Sequence, residues 1–111
     1  MNVELLCLNE TALTSLANLP DLAELKRIEV SGNNLTGNNL KHLNKYVNLH
    51  TVKFSDNKVS DYAELDPLKN TALANLSLDG NPIADKPDYR VKIFEIFPEL
   101  EVLDGFDRQD N

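Results

Sequence analysis

The feature that most constrains this chain is a spacing. Asn33, Asn57 and Asn81 stand 24 residues apart, each just after a short alternating run, in SGNNLTG, SDNKVSD and LDGNPIA. Aligned on these asparagines, LKRIEVSGNNL (25–35), LHTVKFSDNKV (49–59) and LANLSLDGNPI (73–83) all read apolar-x-x-apolar-x-apolar-x-x-Asn-x-apolar. VELLCLNETAL (3–13) is a weaker copy with Thr11 at the Asn position, and LEVLDG starts a partial copy at Leu100. Repetition at this period implies stacked units, because one such unit cannot bury its apolar side alone.

Within each unit the apolar residues alternate with polar ones, as Ile28 and Val30 do, which is the period of a half-buried strand. Stacking those strands makes a curved parallel β-sheet on the concave side, with the chain returning along the convex side. The template is that of the leucine-rich repeat, an α/β solenoid. Repeats are expected to start near residues 3, 25, 49 and 73 of a single domain spanning 1–111, closed by a C-terminal helical cap at 85–111. The length supports one domain, and the bias to 19 Leu and 14 Asn falls on the residues the template repeats.

The asparagine has a physical role in this frame. After each strand the chain turns inward and leaves backbone N–H and C=O groups that must find partners. An Asn amide offers two donors and an acceptor. Asn33, Asn57 and Asn81 are therefore expected to form a buried ladder, one rung per coil, and are not site residues.

The convex segments differ. Leu16, Leu19 and Leu22 recur every three residues, which suits tight 3₁₀-like turns. Leu40, Leu43 and Val47 predict a short helix with an Asn-rich start. Tyr62, Leu65 and Leu68 follow at the same spacing, but Pro67 is expected to prevent a regular helix there. In the cap, Pro87 behind Asp85 marks a helix start. Tyr89, Ile93, Phe94 and Phe97 then share one helical face, and Pro98 stops it. Phe106 lies just after this aromatic helix, which, with a short closing strand, is expected to seal the last coil.

Charge and cysteine content narrow the function. The net charge is −7, which repels phosphate backbones and argues against direct nucleic-acid binding. One cysteine, Cys7, excludes an internal disulfide framework and favours an intracellular, reducing compartment, nuclear and/or cytoplasmic. MNVELLCLNE has no basic region and too short an apolar run for a signal peptide. No segment is apolar enough to span a membrane. There is no phosphate loop, zinc-ligand spacing or catalytic triad, and His42 and His50 have no partner at a telling spacing. No cofactor, no metal and no enzymatic activity are expected.

A partner is expected to dock where outward side chains stack into columns on the concave face. Leu5, Arg27, Thr51 and Asn75 form one column, Cys7, Glu29, Lys53 and Ser77 the next, and Asn9, Ser31, Ser55 and Asp79 the third. Asp56 lies at the rim. Glu29 and Lys53 are expected to be neighbours and to pair. The cap edge, with Asp88, Asp104, Asp107 and Arg108, is the other candidate surface. The plainer reading of these charges is a solvated surface. Tyr89 is expected to pack on the last coil, Arg90 to bond nearby backbone or carboxylates, and Asp104 before Gly105 to be a turn residue. The first strand would present an unpaired edge, and two such edges would meet in a weak homodimer through residues 1–13.

LTSLANLPDLAELKRIEVSGNNLTG, LDPLKN and DYRVKIFEIFPELEVLDGFDRQD resemble the acidic leucine-rich nuclear phosphoproteins, and the closing YR…IF…FPELEVLDG is similar to the cap of the spliceosomal A-prime protein. The resemblance runs from about Leu13 to Asp110. It implies a curved, non-catalytic protein-binding domain. It further implies histone binding, inhibition of a serine/threonine phosphatase, and regulation of chromatin and messenger RNA export. That family also carries a long Asp/Glu-rich tail after the cap and a capping helix before the first repeat, whereas this sequence stops at DRQDN. The other expected class is a structural subunit of a ribonucleoprotein or cytoskeletal assembly.

Overall fold

The computed structural model describes residues 3–109. Met1, Asn2, Asp110 and Asn111 lie outside the described residues, and with them the two ends of the expected domain. Four short strands follow the repeat frame: β1 (Leu5–Cys7), β2 (Arg27–Glu29), β3 (Thr51–Lys53) and β4 (Asn75–Ser77). They pair in parallel, each with the next, and β5 (Val102–Leu103) continues the series. The last strand, β6 (Phe106–Asp107), departs from the all-parallel expectation by folding back antiparallel on β5. Asp104 and Gly105, both at positive φ (53° and 87°), make the two-residue turn between them, a geometry that Asp-Gly adopts readily.

The register has no slip. Leu5, Arg27, Thr51, Asn75 and Val102 stand side by side, as do Cys7, Glu29, Lys53 and Ser77. Between these rows Ile28, Val52, Leu76 and Leu103 point inward and are fully buried. Behind them lie Leu25, Leu49, Leu73 and Leu100, then Val30, Phe54 and Leu78, then Leu35, Val59 and Ile83, all in one core. The first coil differs: Leu6, Leu8 and Leu13 are only partly buried against that core, since among the described residues another coil packs on one side of it only.

The asparagines tie the coils together. Asn57 Oδ1 accepts from the N–H of Asn33 and Leu35 in the preceding coil, at 3.1 and 2.8 Å. Its Nδ2 donates to the carbonyls of Val30, Phe54 and Ser55. Asn33 repeats the arrangement one coil earlier, with Thr11 N and Leu13 N as donors and Leu8 O and Val30 O among the acceptors. Asn81 takes Val59 N and gives to Phe54 O and Leu78 O. All three side chains are buried.

The convex side is built from 3₁₀ geometry throughout. The first coil has only isolated turns, such as Leu25 N to Leu22 O. A 3₁₀ helix spans Gly37–Leu43, with Leu40 and Leu43 buried. Val47, expected on this face, is 61% exposed instead, and Tyr46 is buried in its place with its hydroxyl donating to Pro20 O. Tyr46 stands three residues after Leu43, with its N–H on Leu43 O, so it continues the three-residue spacing of 3₁₀ turns rather than the α-helical spacing that picks out Val47. A second 3₁₀ helix, Tyr62–Asn70, runs straight through Pro67. It is nucleated by a reciprocal cap, in which Asp61 accepts from Ala63 N and Glu64 accepts from Asp61 N, and it is held by Leu65 and Leu68 buried three residues apart.

The cap has a brief 3₁₀ turn at Pro82–Asp85 and then the one α-helix of the described residues, α1 (Tyr89–Ile96). The α-helix begins two residues after Pro87, with Asp88 as its N-cap. Tyr89, Ile93 and Phe97 are buried against the last coil, and Phe106, beyond the helix, is 51% exposed. β6 lies beyond the last coil at the sheet edge.

Candidate functional site

The polar face of the sheet carries the expected columns, and its side chains are linked to one another. Arg27 Nε donates to Glu29 Oε2 at 2.7 Å, and Asn9 Nδ2 donates to Glu29 Oε1 at 3.1 Å. These two bonds, Arg27 first, hold the Glu29 carboxyl below the usual carboxylate range. Glu29 and Lys53 are neighbours in the register, but the expected pair between them is replaced. Arg27 lies two residues along the same strand and takes the carboxylate, while Lys53 Nζ donates to Ser77 Oγ at 3.3 Å. Farther along, Ser55 Oγ donates to Asp79 Oδ1 at 2.6 Å, and Asn9 Oδ1 accepts from Ser31 N.

Accessibility is uneven on this face. Arg27, Glu29, Ser31, Lys53 and Ser55 are half-buried, and Asp56 and Asp79 are exposed. Thr51 and Ser77, expected as contact residues, are each only 6% exposed. Both are short and lie between the longer side chains of adjoining strands. Asn75 is half-buried, and its Oδ1 is the one fully buried side-chain nitrogen or oxygen among the described residues with no hydrogen-bond partner. Asp56 sits at the rim in the left-handed region (φ 56°), and its N–H donates to Asp79 O. Cys7 is exposed on the first strand.

The cap-edge residues divide between two places. Asp104 is half-buried and fully engaged: Oδ1 accepts from Leu78 N at 2.7 Å and Asp79 N at 3.0 Å, and Oδ2 from the Tyr89 hydroxyl at 2.7 Å. Burial, reinforced by that carboxylate, pushes the Tyr89 phenol well above its usual range. Asp104 thus does for the last coil what the asparagines do for the others. Asp88 accepts from the Tyr62 hydroxyl at 2.9 Å; burial first, and then this bond, push the Tyr62 phenol up to about 12. Asp79, Asp85, Asp88 and Asp104 line one groove, together with Val91 and Phe106. Nothing in the repeat frame marks Asp85, Val91 or Phe106 for this site, because the cap lies outside the 24-residue period.

Asp107 and Arg108 lie elsewhere, beside Pro98 and Glu101. Arg108 donates to the carbonyls of Leu100, Phe97 and Pro98, closing the C-terminal end of α1. Its guanidinium stacks on Phe94 at 4.5 Å, and Arg90 approaches the same ring at 5.4 Å. Arg90 also donates to Leu103 O and Asp107 O. Among the described residues no group of three or more His, Cys, Asp or Glu is placed to hold a metal ion, and no helix is long and apolar enough to cross a membrane.

The sequence profile described as "Leucine-rich repeat" matches residues 3–109. An "Acidic leucine-rich nuclear phosphoprotein 32-related protein" of Plasmodium falciparum (isolate 3D7) is 34% identical over 113 residues. That match covers 97% of this chain and 40% of the relative, so the chain spans well under half of the relative's length. A chain of the Drosophila melanogaster SNF/U2A' complex is similar with a TM-score of 0.80 at 29% identity, covering 94% of this chain and 60% of that one. A chain of the Chaetomium Mex67:Mtr2 subunits has a TM-score of 0.71 at 22% identity, covering 96% and 85%, a likeness of fold alone.

Proposed function

The chain belongs to the leucine-rich repeat family, and on that premise we propose that it is a non-catalytic protein-binding module whose partner docks on the polar, concave face of the sheet. The observation that carries this reading is the set of polar side chains held in place on that face by mutual hydrogen bonds: Arg27 and Asn9 to Glu29, Lys53 to Ser77, and Ser55 to Asp79. Side chains already fixed lose little freedom when a partner docks on them. Arg27, Glu29, Ser31, Lys53 and Ser55 are the contact residues, with Asp56 and Asp79 at the rim. Thr51 and Ser77 shape the floor.

The partner is a basic nuclear protein, with histones the first candidate. The net charge of −7 supports this, as does the relation to an acidic nuclear phosphoprotein. Regulation of a serine/threonine phosphatase is the other output in keeping with that relation, and the place of action is nuclear and/or cytoplasmic. Neither direct nucleic-acid binding nor a membrane enters the scheme, and no cofactor is needed. The half-exposed first coil, with Leu5 outermost, supports weak self-association through residues 1–13, apart from Met1 and Asn2, which lie outside the described residues. A monomer mass by light scattering at high concentration would remove that element.

A second reading, a structural subunit of a ribonucleoprotein or cytoskeletal assembly, is favoured by the likeness to a chain of the SNF/U2A' complex. Salt separates the two. Association driven by exposed charge weakens steeply as salt screens it, whereas a packed, largely apolar interface with one partner helix is nearly indifferent. Titrating purified core histones into the protein at increasing salt therefore decides between them: binding that falls away with salt supports the first reading, and no binding at low salt refutes it.

A further inference from the structure

A groove of about 820 Å³ opens in the cap between the end of the last coil, the start of α1 and the β5–β6 turn. Only four large apolar side chains among the described residues are exposed, and two of them, Val91 (66%) and Phe106, line this one groove. Single exposed apolar residues are ordinary; two in one concavity, with Ala84 and Pro87 beside them, make a surface that favours an apolar guest.

The charge around the groove selects the guest. Asp104 is already saturated by three donors. Asp79 and Asp88 each accept one hydroxyl and are exposed, and Asp85 has no hydrogen-bond or ion-pair partner among the described residues. The two cations of the groove are turned to other uses. The Lys86 ammonium lies over the Tyr62 ring at 5.4 Å, and Arg90 is spent on the Leu103 and Asp107 carbonyls. An anionic guest meets three carboxylates, and a purely apolar one strips water from them without replacing it. A guest carrying both cations and an apolar side chain suffers neither penalty.

We propose that this groove is a second docking site, for a short cationic–apolar segment of a partner protein. One apolar side chain seats between Val91 and Phe106, and Lys or Arg residues flanking it reach Asp85 on one side and Asp79 or Asp88 on the other. The proposal rests on the protein-binding reading for the class of partner, but not on the sheet face for its residues. A partner already on the sheet face is led into the groove by Asp79, which borders both.

The test uses the full chain and a fluorescein-labelled peptide in which one Leu is flanked on both sides by paired lysines. A control peptide replaces that Leu with Gly. Anisotropy at low salt is expected to show saturable binding, about ten-fold tighter for the Leu peptide, as expected of a buried apolar anchor. Val91→Ser and Asp85→Asn are each expected to weaken it about three-fold or more, while Glu29→Gln on the sheet face leaves it unchanged. Phe106→Ser is read only if its melting midpoint matches the wild type; Val91, on the exposed side of α1, decides otherwise. The site is overturned by absence of saturable binding, by equal affinity for the two peptides, or by a loss with Glu29→Gln equal to that with Val91→Ser. Histone binding that survives Val91→Ser leaves the sheet-face reading intact whatever happens to the peptide.

Discussion

The side-chain oxygen of Asn57 accepts the backbone N–H of Asn33, the residue one full repeat before it, at 3.1 Å. Each rung of the ladder thus holds the backbone of the rung before. Asn57→Ala leaves Asn33 N and Leu35 N without their acceptor and takes one of two donors from each of the carbonyls of Val30, Phe54 and Ser55. The expected loss is about 1–3 kcal/mol for buried groups left unpaired. A urea denaturation midpoint unchanged from wild type contradicts it.

Much of this was legible in the sequence because a repeat multiplies weak evidence. One Asn after a strand says little, but three at one period fix the register of β2 to β4 and hence which side chains line most of the polar face. What the period does not encode is how neighbours settle. Glu29 stands beside Lys53, yet the longer, forked Arg27 on its own strand reaches it first. Thr51 and Ser77 occupy outward positions but are too short to emerge between their neighbours. Tyr46 rather than Val47 turns inward because the convex side is 3₁₀, so that the buried positions fall every three residues, at Leu40, Leu43, Tyr46 and Leu49. The cap lies outside the period altogether, so the exposure of Phe106 and its proximity to Val91 and Asp85 follow from the closing hairpin and not from any sequence pattern.

Arg108 fastens the end of α1 by three backbone carbonyls and by the face of Phe94. Arg108→Ala is expected to destabilise by about 1–3 kcal/mol and to leave histone affinity unchanged. A variant of normal stability with weakened binding would return Arg108 to the docking surface.

The tyrosines set an alkaline limit. Tyr46, Tyr62 and Tyr89 all have phenols raised above their usual range, chiefly by burial. A folded-state value above the unfolded one means the neutral phenol is favoured by folding. The corresponding stability is complete below the unfolded value of about 10 and is lost as pH rises above it, through about 12 in the case of Tyr62. Stability is therefore expected to decline from about pH 10 upward, with a shallower decline in Tyr89→Phe. An ultraviolet titration with all three tyrosines ionising near pH 10 while the fold persists contradicts this.

Asn75 is expected to separate stability from binding. Asn75→Val removes a buried acceptor that has no partner and places a β-branched residue beside Val102 in the strand register. The melting midpoint should rise, by an amount corresponding to about 1 kcal/mol, while affinity for a partner on the sheet face is unchanged, because the lost oxygen is out of a partner's reach. A variant less stable than wild type contradicts this.

The most direct measurement of the central claim is the affinity of purified core histones for the wild-type chain and for Glu29→Lys/Asp56→Lys, taken at low and at moderate salt. The expected result is wild-type binding that weakens about ten-fold or more as salt rises, and loss of binding in the reversed variant with its melting transition still cooperative. Equal affinity of the two proteins, or wild-type affinity indifferent to salt, contradicts docking of a basic partner on the polar face of the sheet.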